Sequence, residues 1–262
     1  MSRLQSGRHI PRKKWGQNFL KNPGVADRIV EVLGAGPGDL VLEIGPGEGM
    51  LTTRLVARGA RLIAFEIDPD LIEHLQRTLP PGRVDLRQAD ATEAELPQEP
   101  FAAIGNLPYN VATPIIRGIL ASPLLKRGVF MVQKEVADRL VGKVGDEAYG
   151  FLSLVVQLYA TAKIMVTLEP GSFRPPPKVR SAVVLFEPRP SVYTGAAGDI
   201  ERLLMVSFQM RRKKLVNNLL TMEGWDRERI MKAIIEAGLS ENVRAEEMSL
   251  KDFDRLNEVM RG

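Results

Sequence analysis

The run Leu40-Val41-Leu42-Glu43-Ile44, followed at once by Gly45-Pro46-Gly47-Glu48-Gly49, constrains this chain more than any other feature. A short, nearly continuous apolar run with β-branched residues reads as a strand buried on both faces, and such strands belong to parallel sheets covered by helices. The glycines that follow supply a tight turn that residues with a Cβ avoid. A helical pattern over Met50–Arg58 and a second strand over Arg61–Ile67 complete a strand, turn, helix, strand unit. Open sheets of this kind bind ligands beyond the carboxyl ends of their strands, so acids at those ends are the first candidates. Glu66, at the tip of the second strand, is placed to accept both ribose hydroxyls of a nucleoside. Asp90, after a third strand over Arg83–Gln88, is placed for an adenine amine.

The turn narrows the ligand. Its glycines are spaced G-x-G-x-G, and position 50 is Met, so the third glycine of the dinucleotide fingerprint is missing. No Gly-Lys-Ser/Thr follows, which excludes a Walker phosphate loop. Glu48 brings an anion to the turn, unhelpful to a phosphate but tolerable beside an ammonium and a sulfonium.

A fourth strand, Phe101–Ile104, stops at Gly105-Asn106-Leu107-Pro108-Tyr109. Pro108 fixes its own φ and drives Leu107 towards an extended conformation, so this segment is stiff and cannot start a helix. It holds an amide side chain, unclaimed carbonyls and an aromatic face in fixed relation. That set suits an exocyclic aromatic amine, whose two N–H donors need acceptors and whose ring needs a stacking partner. Asn-Xaa-Pro is also ordinary turn punctuation, so a plain turn with a core tyrosine is the competing reading.

The remaining chain alternates in the same way. Helices are expected at Val25–Leu33, Pro69–Leu79, Pro114–Leu120, Lys134–Val141 and Phe151–Thr161. Further strands are expected at Gly128–Gln133 and in a closing hairpin-like pair, Ala162–Leu168 and Ser181–Glu187. Between that pair, Gly171–Val179 carries Pro175-Pro176-Pro177, a rigid extended loop. A Pro, Gly and Ala-rich linker over Glu187–Asp199 precedes helical patterns only: Ile200–Leu220, Asp226–Ala237 and Ser249–Met260. The expected organisation is an α/β domain over residues 1–190 and a small all-helical domain over 199–262. The first 22 residues form a basic arm. Within it, Gly16-Gln17-Asn18-Phe19-Leu20 reads equally as a ligand contact or as an anchor made by Phe19 and Leu20.

Composition excludes several chemistries. With no cysteine there are no disulfides, thiolate metal sites or thiol nucleophiles. Two histidines, His9 and His74, cannot build a multi-histidine metal centre, and no metal is expected. No segment approaches the roughly 18 continuous apolar residues of a membrane span, and a cytoplasmic protein is expected. The net charge of +4 allows a polyanionic partner, and the distribution favours one. Arg12, Lys13 and Lys14 lie in an arm free of acids, and Arg211, Arg212, Lys213 and Lys214 form a second cluster.

Several of these motifs together resemble a known family. Glu43–Gly49 resembles motif I of Rossmann-like class I S-adenosylmethionine-dependent methyltransferases. Asn106-Leu107-Pro108-Tyr109 resembles the motif IV of enzymes that methylate adenine N6. Lys14–Leu20 and Phe173–Val183 look like two signatures of the ribosomal RNA adenine dimethyltransferase family, and Phe208–Leu219 resembles the opening of its helical C-terminal domain. Trp15 stands where relatives often carry a smaller or differently shaped residue.

The resemblance implies S-adenosylmethionine as cofactor, with contacts at Asn18, Leu20, Gly45, Gly47, Glu66, Asp90 and Asn106. It implies transfer of methyl groups to N6 of two adjacent adenosines in the terminal hairpin of small-subunit rRNA, free or in a pre-assembled subunit, by a monomer. Asn106 and the Leu107 or Pro108 carbonyl would accept from the amine. Tyr109 would stack on the base, and Phe173 would close its other face. Arg12, Lys13, Lys14 and Arg211–Lys214 would hold the RNA backbone. Two rival readings are a large-subunit rRNA methyltransferase of the macrolide-resistance type and a non-catalytic RNA-binding assembly or transcription factor.

Overall fold

The computed structural model describes residues 4–5, 8–9, 15, 17–108, 111–190, 197–210 and 212–262. Tyr109, Arg12, Lys13, Lys14 and Arg211 lie outside the described residues. Strands β1 (Leu4–Gln5) and β2 (Arg8–His9) form a small antiparallel pair, and β3 (Phe19–Leu20) follows. Helix α1 (Pro23–Leu33) starts where the Asn22 side chain accepts from Val25 N–H and stops at Gly34, whose φ of 71° ends the helix. Then come β4 (Leu40–Ile44), α2 (Thr52–Ala57), β5 (Arg61–Glu66), α3 (Pro69–Thr78), β6 (Val84–Gln88), β7 (Phe101–Asn106), α4 (Ala112–Leu120), β8 (Leu125–Gln133) and α5 (Lys134–Val141). The chain continues through α6 (Phe151–Tyr159), β9 (Ala160–Leu168), β10 (Phe173–Arg174) and β11 (Ser181–Pro188). It ends in α7 (Ala197–Ser207), α8 (Leu215–Leu219), α9 (Arg227–Glu236) and α10 (Leu250–Arg261).

Seven strands make one sheet in the order β6-β5-β4-β7-β8-β11-β9. From β6 to β8 all pairs are parallel, and β11 enters antiparallel to β8. This is the α/β architecture expected from the sequence. β4 is buried along its whole length, as its apolar run requires, and packs with Ile29, Val30 and Leu33 of α1 and Leu55 of α2 in a common core. β9 and β11 are neighbours at the sheet edge, as the hairpin-like pair predicts, but β10 between them pairs instead with β3.

Several elements differ in their bounds from the sequence reading, three of them for a reason the structure shows. β7 does not stop at Ile104: Gly105 pairs with Ile44 and Phe130, and Asn106 pairs with Met131. Glycine permits this, because a Cβ at position 105 would lie 2.5 Å from the Ile44 carbonyl oxygen. The helix expected over Phe151–Thr161 ends at Tyr159, where Ala160 turns extended and begins β9. The single helix expected over Ile200–Leu220 is two, α7 and α8. The buried Asn218 explains the break: its Oδ1 accepts from Met210 N–H at 2.8 Å and its Nδ2 donates to the Met210 carbonyl at 3.3 Å. This satisfies a peptide group that a continuous helix would otherwise claim.

The chain forms two compact units. One comprises Met1–Ala137 and Ala162–Pro188, the other Asp138–Thr161 and Arg189–Gly262. Residues 138–161, which the sequence boundary at 190 assigned to the first domain, pack with the helical part. Leu154 and Leu158 of α6 share a core with Ile200 and Leu204 of α7 and Phe253 and Leu256 of α10. Tyr149, 1% exposed, ties that core together by donating its hydroxyl to the Met248 carbonyl at 2.8 Å. Among the described residues, no helix is long and apolar enough to cross a membrane.

Candidate active site

The carboxyl ends of β4, β5, β6 and β7 border a cavity of about 210 Å3 with an adjoining smaller one of about 60 Å3. Gly45, Glu66, Ile67 and Pro108 wall both, and Asp90 borders the larger. In the glycine turn, Gly45 and Gly47 take φ of 65° and 58°, the left-handed region. A Cβ on Gly47 would come within 3.0 Å of the Phe19 ring, so the turn needs glycine for space as well as conformation.

Glu66 is 6% exposed and held on three sides. Its Oε1 accepts from the N–H groups of Ile67 and Asp68, both at 3.0 Å, and its Oε2 accepts from Gly47 N–H at 3.2 Å. Burial pushes the carboxyl up to about 7, against the pull of those donors. Glu43, 1% exposed, sits behind the turn with Oε2 lacking a hydrogen-bond partner, and burial pushes it up to about 7 as well. Asp90 behaves oppositely. The Thr92 hydroxyl and N–H both donate to its Oδ1, at 2.7 and 2.9 Å, and hold its carboxyl below the usual range. Glu48 is not a free anion: its Oε1 meets Arg174 Nη2 at 2.5 Å.

The arm reaches this edge. Gln17 donates its amide to Asp68 Oδ2 at 2.9 Å, and the Asn18 carbonyl accepts from Asn106 Nδ2 at 2.6 Å. Asn18, Phe19 and Asn106 line the smaller cavity. Leu20 and Glu43 border a further pocket of about 30 Å3 beside the glycine turn, with Asn106 at its wall. The arm is therefore both anchored and at the site, so the two sequence readings are not exclusive.

In the Asn106 turn, the Leu107 N–H donates to the Met131 carbonyl at 3.1 Å and the Pro108 carbonyl accepts from Val111 N–H at 3.1 Å. Of the two carbonyls expected to be acceptors, Pro108's is thus engaged. Among the described residues no N–H reaches that of Leu107. Phe173 corrects the sequence expectation. Paired with Leu20 through β10 and β3, its ring is 1% exposed and packed with Leu168 and Val183, so it presents no face to the cavity. Trp15 was missed as a lining residue, although it borders both cavities. Its sequence signal is a large aromatic directly after the basic run Arg12-Lys13-Lys14. Arg212, Lys213 and Lys214 are exposed in the turn between α7 and α8, with Lys214 Nζ donating to Asn242 Oδ1 at 2.6 Å.

The residues fit an adenosyl sulfonium ligand. The larger cavity is walled mostly by apolar side chains such as Phe65, Ile67 and Ile115, with two carboxyl groups at strand ends for hydroxyls and an amine. The glycine turn itself carries no basic residue for a phosphate, and the Arg174 that meets it is engaged by Glu48.

Comparison with known proteins agrees. Residues 8–261 match the family described as ribosomal RNA adenine dimethylase. Ribosomal RNA small subunit methyltransferase A of Methylococcus capsulatus is 40% identical over 253 residues, covering 94% of this chain and 96% of that protein. The protein of the same name from Rubrobacter xylanophilus is 41% identical over 262 residues, 97% of each chain. Among solved structures, a dimethyladenosine transferase from Plasmodium falciparum superposes with a TM-score of 0.79 at 27% identity, covering 91% of this chain and 95% of that one. The 23S rRNA methyltransferase ErmE gives 0.72 at 29% identity, covering 94% of this chain and 100% of that one. Matched over residues 8–261, this chain belongs to the ribosomal RNA adenine dimethylase family of S-adenosylmethionine-dependent methyltransferases.

Proposed function

We propose that the chain dimethylates N6 of two adjacent adenosines in the 3′-terminal hairpin of small-subunit rRNA, as a monomer in the cytoplasm, and so contributes to small-subunit biogenesis. The observation that carries this reading is the pairing of Ile44 with Gly105. It sets the glycine turn and the Asn106 turn side by side, a donor site next to an amine-acceptor site. When bound, the cofactor supplies a methyl group already activated on a sulfonium.

The protein's own residues bind and orient. Glu66 accepts the ribose hydroxyls and Asp90 the adenine amine, while Gly45, Gly47, Asn18 and Leu20 shape the adjoining wall. Adenine N6 is a weak nucleophile because its lone pair is delocalised into the ring. Asn106 Oδ1, with its amide aimed by the Asn18 carbonyl, and the Leu107 carbonyl accept from the two N–H groups and favour a pyramidal nitrogen. Pro108 stiffens the turn. Tyr109, assigned from its motif, stacks on the flipped base. Arg212, Lys213 and Lys214, with Arg211 and the arm's Arg12, Lys13 and Lys14, hold RNA phosphates by charge. The family and the names of its relatives support small-subunit rRNA as the substrate.

The test is incubation of unmodified small and large subunits with labelled S-adenosylmethionine, followed by nucleoside mapping. Two adjacent dimethyladenosines in small-subunit rRNA are expected. Label confined to large-subunit rRNA would move the chain to the resistance type, and no label in either would leave it an RNA-binding factor.

A further inference from the structure

Trp15 is half-buried and borders both the 210 Å3 cavity and its 60 Å3 neighbour, where it shares walls with Gly45, Glu66, Ile67 and Pro108. It precedes three consecutive fixings of the arm. Gln17 is bonded to Asp68, the Asn18 carbonyl to Asn106, and Phe19 and Leu20 are paired with β10. These hold the arm across the strand ends just after Trp15. The indole therefore sits at the cavity between the β5 tip, with Glu66 and Ile67, and the turn that follows β7. Around the larger cavity that it borders stand apolar walls and two carboxyl groups, Glu66 and Asp90, at neighbouring strand ends.

An apolar slot with two carboxyl acceptors suits a flat, amine-bearing nucleoside, and a large aromatic residue in its wall suits a π-face. We propose that Trp15 is the lid of the cofactor's nucleoside cavity, its indole packing on the adenosyl group of S-adenosylmethionine. This rests on the cofactor assignment and extends it to a residue of the arm. Trp15 thereby joins Asn18 and Leu20 as a contribution of the arm to the donor site.

Tryptophan itself provides the readout. The sequence has two, and the second, Trp225, lies in the helical unit with the Arg229 guanidinium 4.8 Å from its ring centroid. In a Trp225→Phe protein, titration with S-adenosylhomocysteine in the absence of RNA should change Trp15 emission. The change should saturate with the Kd found by calorimetry on the same protein, and adenosine should reproduce its sign where methionine does not. Trp15→Ala should raise that Kd about tenfold, whereas Trp15→Phe should hold it within about threefold, with the unliganded melting temperature unchanged in both. Emission indifferent to bound S-adenosylhomocysteine, or wild-type affinity in Trp15→Ala, would overturn the proposal. So would a response that appears only with adenosine-containing RNA, which would assign the ring to the target base. Failure of the cofactor assignment has a different signature, the absence of any binding heat in the wild-type protein.

Discussion

The Asn106 side chain donates to the Asn18 carbonyl at 2.6 Å across 88 residues of sequence. With one amide N–H committed to the arm, the amide's orientation is set, and its oxygen is the acceptor that the proposed function assigns to the substrate amine. Asn106→Ala removes that acceptor, and the expected result is a fall in kcat of about 100-fold or more. The Kd for S-adenosylhomocysteine should move less than tenfold, because Glu66, Asp90 and the glycine turn remain. Single-turnover kinetics with calorimetry separate the two, and unchanged turnover would remove Asn106 from the chemistry.

Glu66 accepts three backbone N–H groups and is raised to about 7 by burial, so its charge changes near neutrality. Hydroxyl donors prefer the ionised form. Cofactor affinity should therefore rise as pH increases through 6 to 8 and then level. Glu66→Gln should flatten the profile and weaken binding by about 10- to 100-fold. Calorimetric titrations at several pH values decide it.

The buried Glu43 carries a stability consequence. Its folded pKa of about 7 lies above the ordinary 4.5, so the folded state binds the proton more tightly. Stability is fully present below about 4.5 and is lost as pH rises through 7. The neutral isostere Glu43→Gln should therefore be more stable than wild type at pH 8 by about 1 to 3 kcal/mol, and the gap should close towards pH 5. Urea denaturation at the two pH values measures it.

Gly105 has no room for a methyl group, with the Ile44 carbonyl oxygen 2.5 Å from where a Cβ would stand. The obstacle is backbone within a sheet, which cannot rotate away. Gly105→Ala should cost about 3 kcal/mol or more, visible as a lowered denaturation midpoint. A midpoint equal to wild type would mean that β4 and β7 separate freely.

The exposed turn with Arg212, Lys213 and Lys214 makes a prediction about salt. Replacing all three with glutamine should weaken rRNA binding and reduce the slope of log affinity against log salt by about 2 to 3. Cofactor affinity should be unaffected. Filter binding across a salt series distinguishes phosphate contacts from a solvated surface, which would leave the slope alone.

The edge that carries the candidate site was legible because strand ends are. A buried run such as Leu40–Ile44 announces its own termination, and position alone puts Glu66 and Asp90 at the border of the cavity there. What escaped depended on partners remote in sequence. Nothing near Phe173 says that Leu20 will draw it inward, and nothing near Gln17 points to Asp68, 51 residues on. The break between α7 and α8 was hidden for a related reason. The periodicity of residues 200–220 is helical throughout, and only the burial of Asn218 shows that Met210 is bonded to a side chain. The share of the helical unit formed by residues 138–161 was equally invisible, since its apolar residues satisfy either core.

The register of β4 against β7 has a further consequence. Neighbouring strands are held about 4.8 Å apart, and Gly45 and Asn106 each follow directly on the paired Ile44 and Gly105. The glycine turn and the Asn106 turn are thus mounted at equal height on adjacent rails of one frame. A residue inserted within either strand would carry one partner a full pleat out of line, whereas one inserted in the connections between helices would be absorbed. On the proposed reading, the alignment of methyl donor and target amine is set by hydrogen-bond register between the two strands.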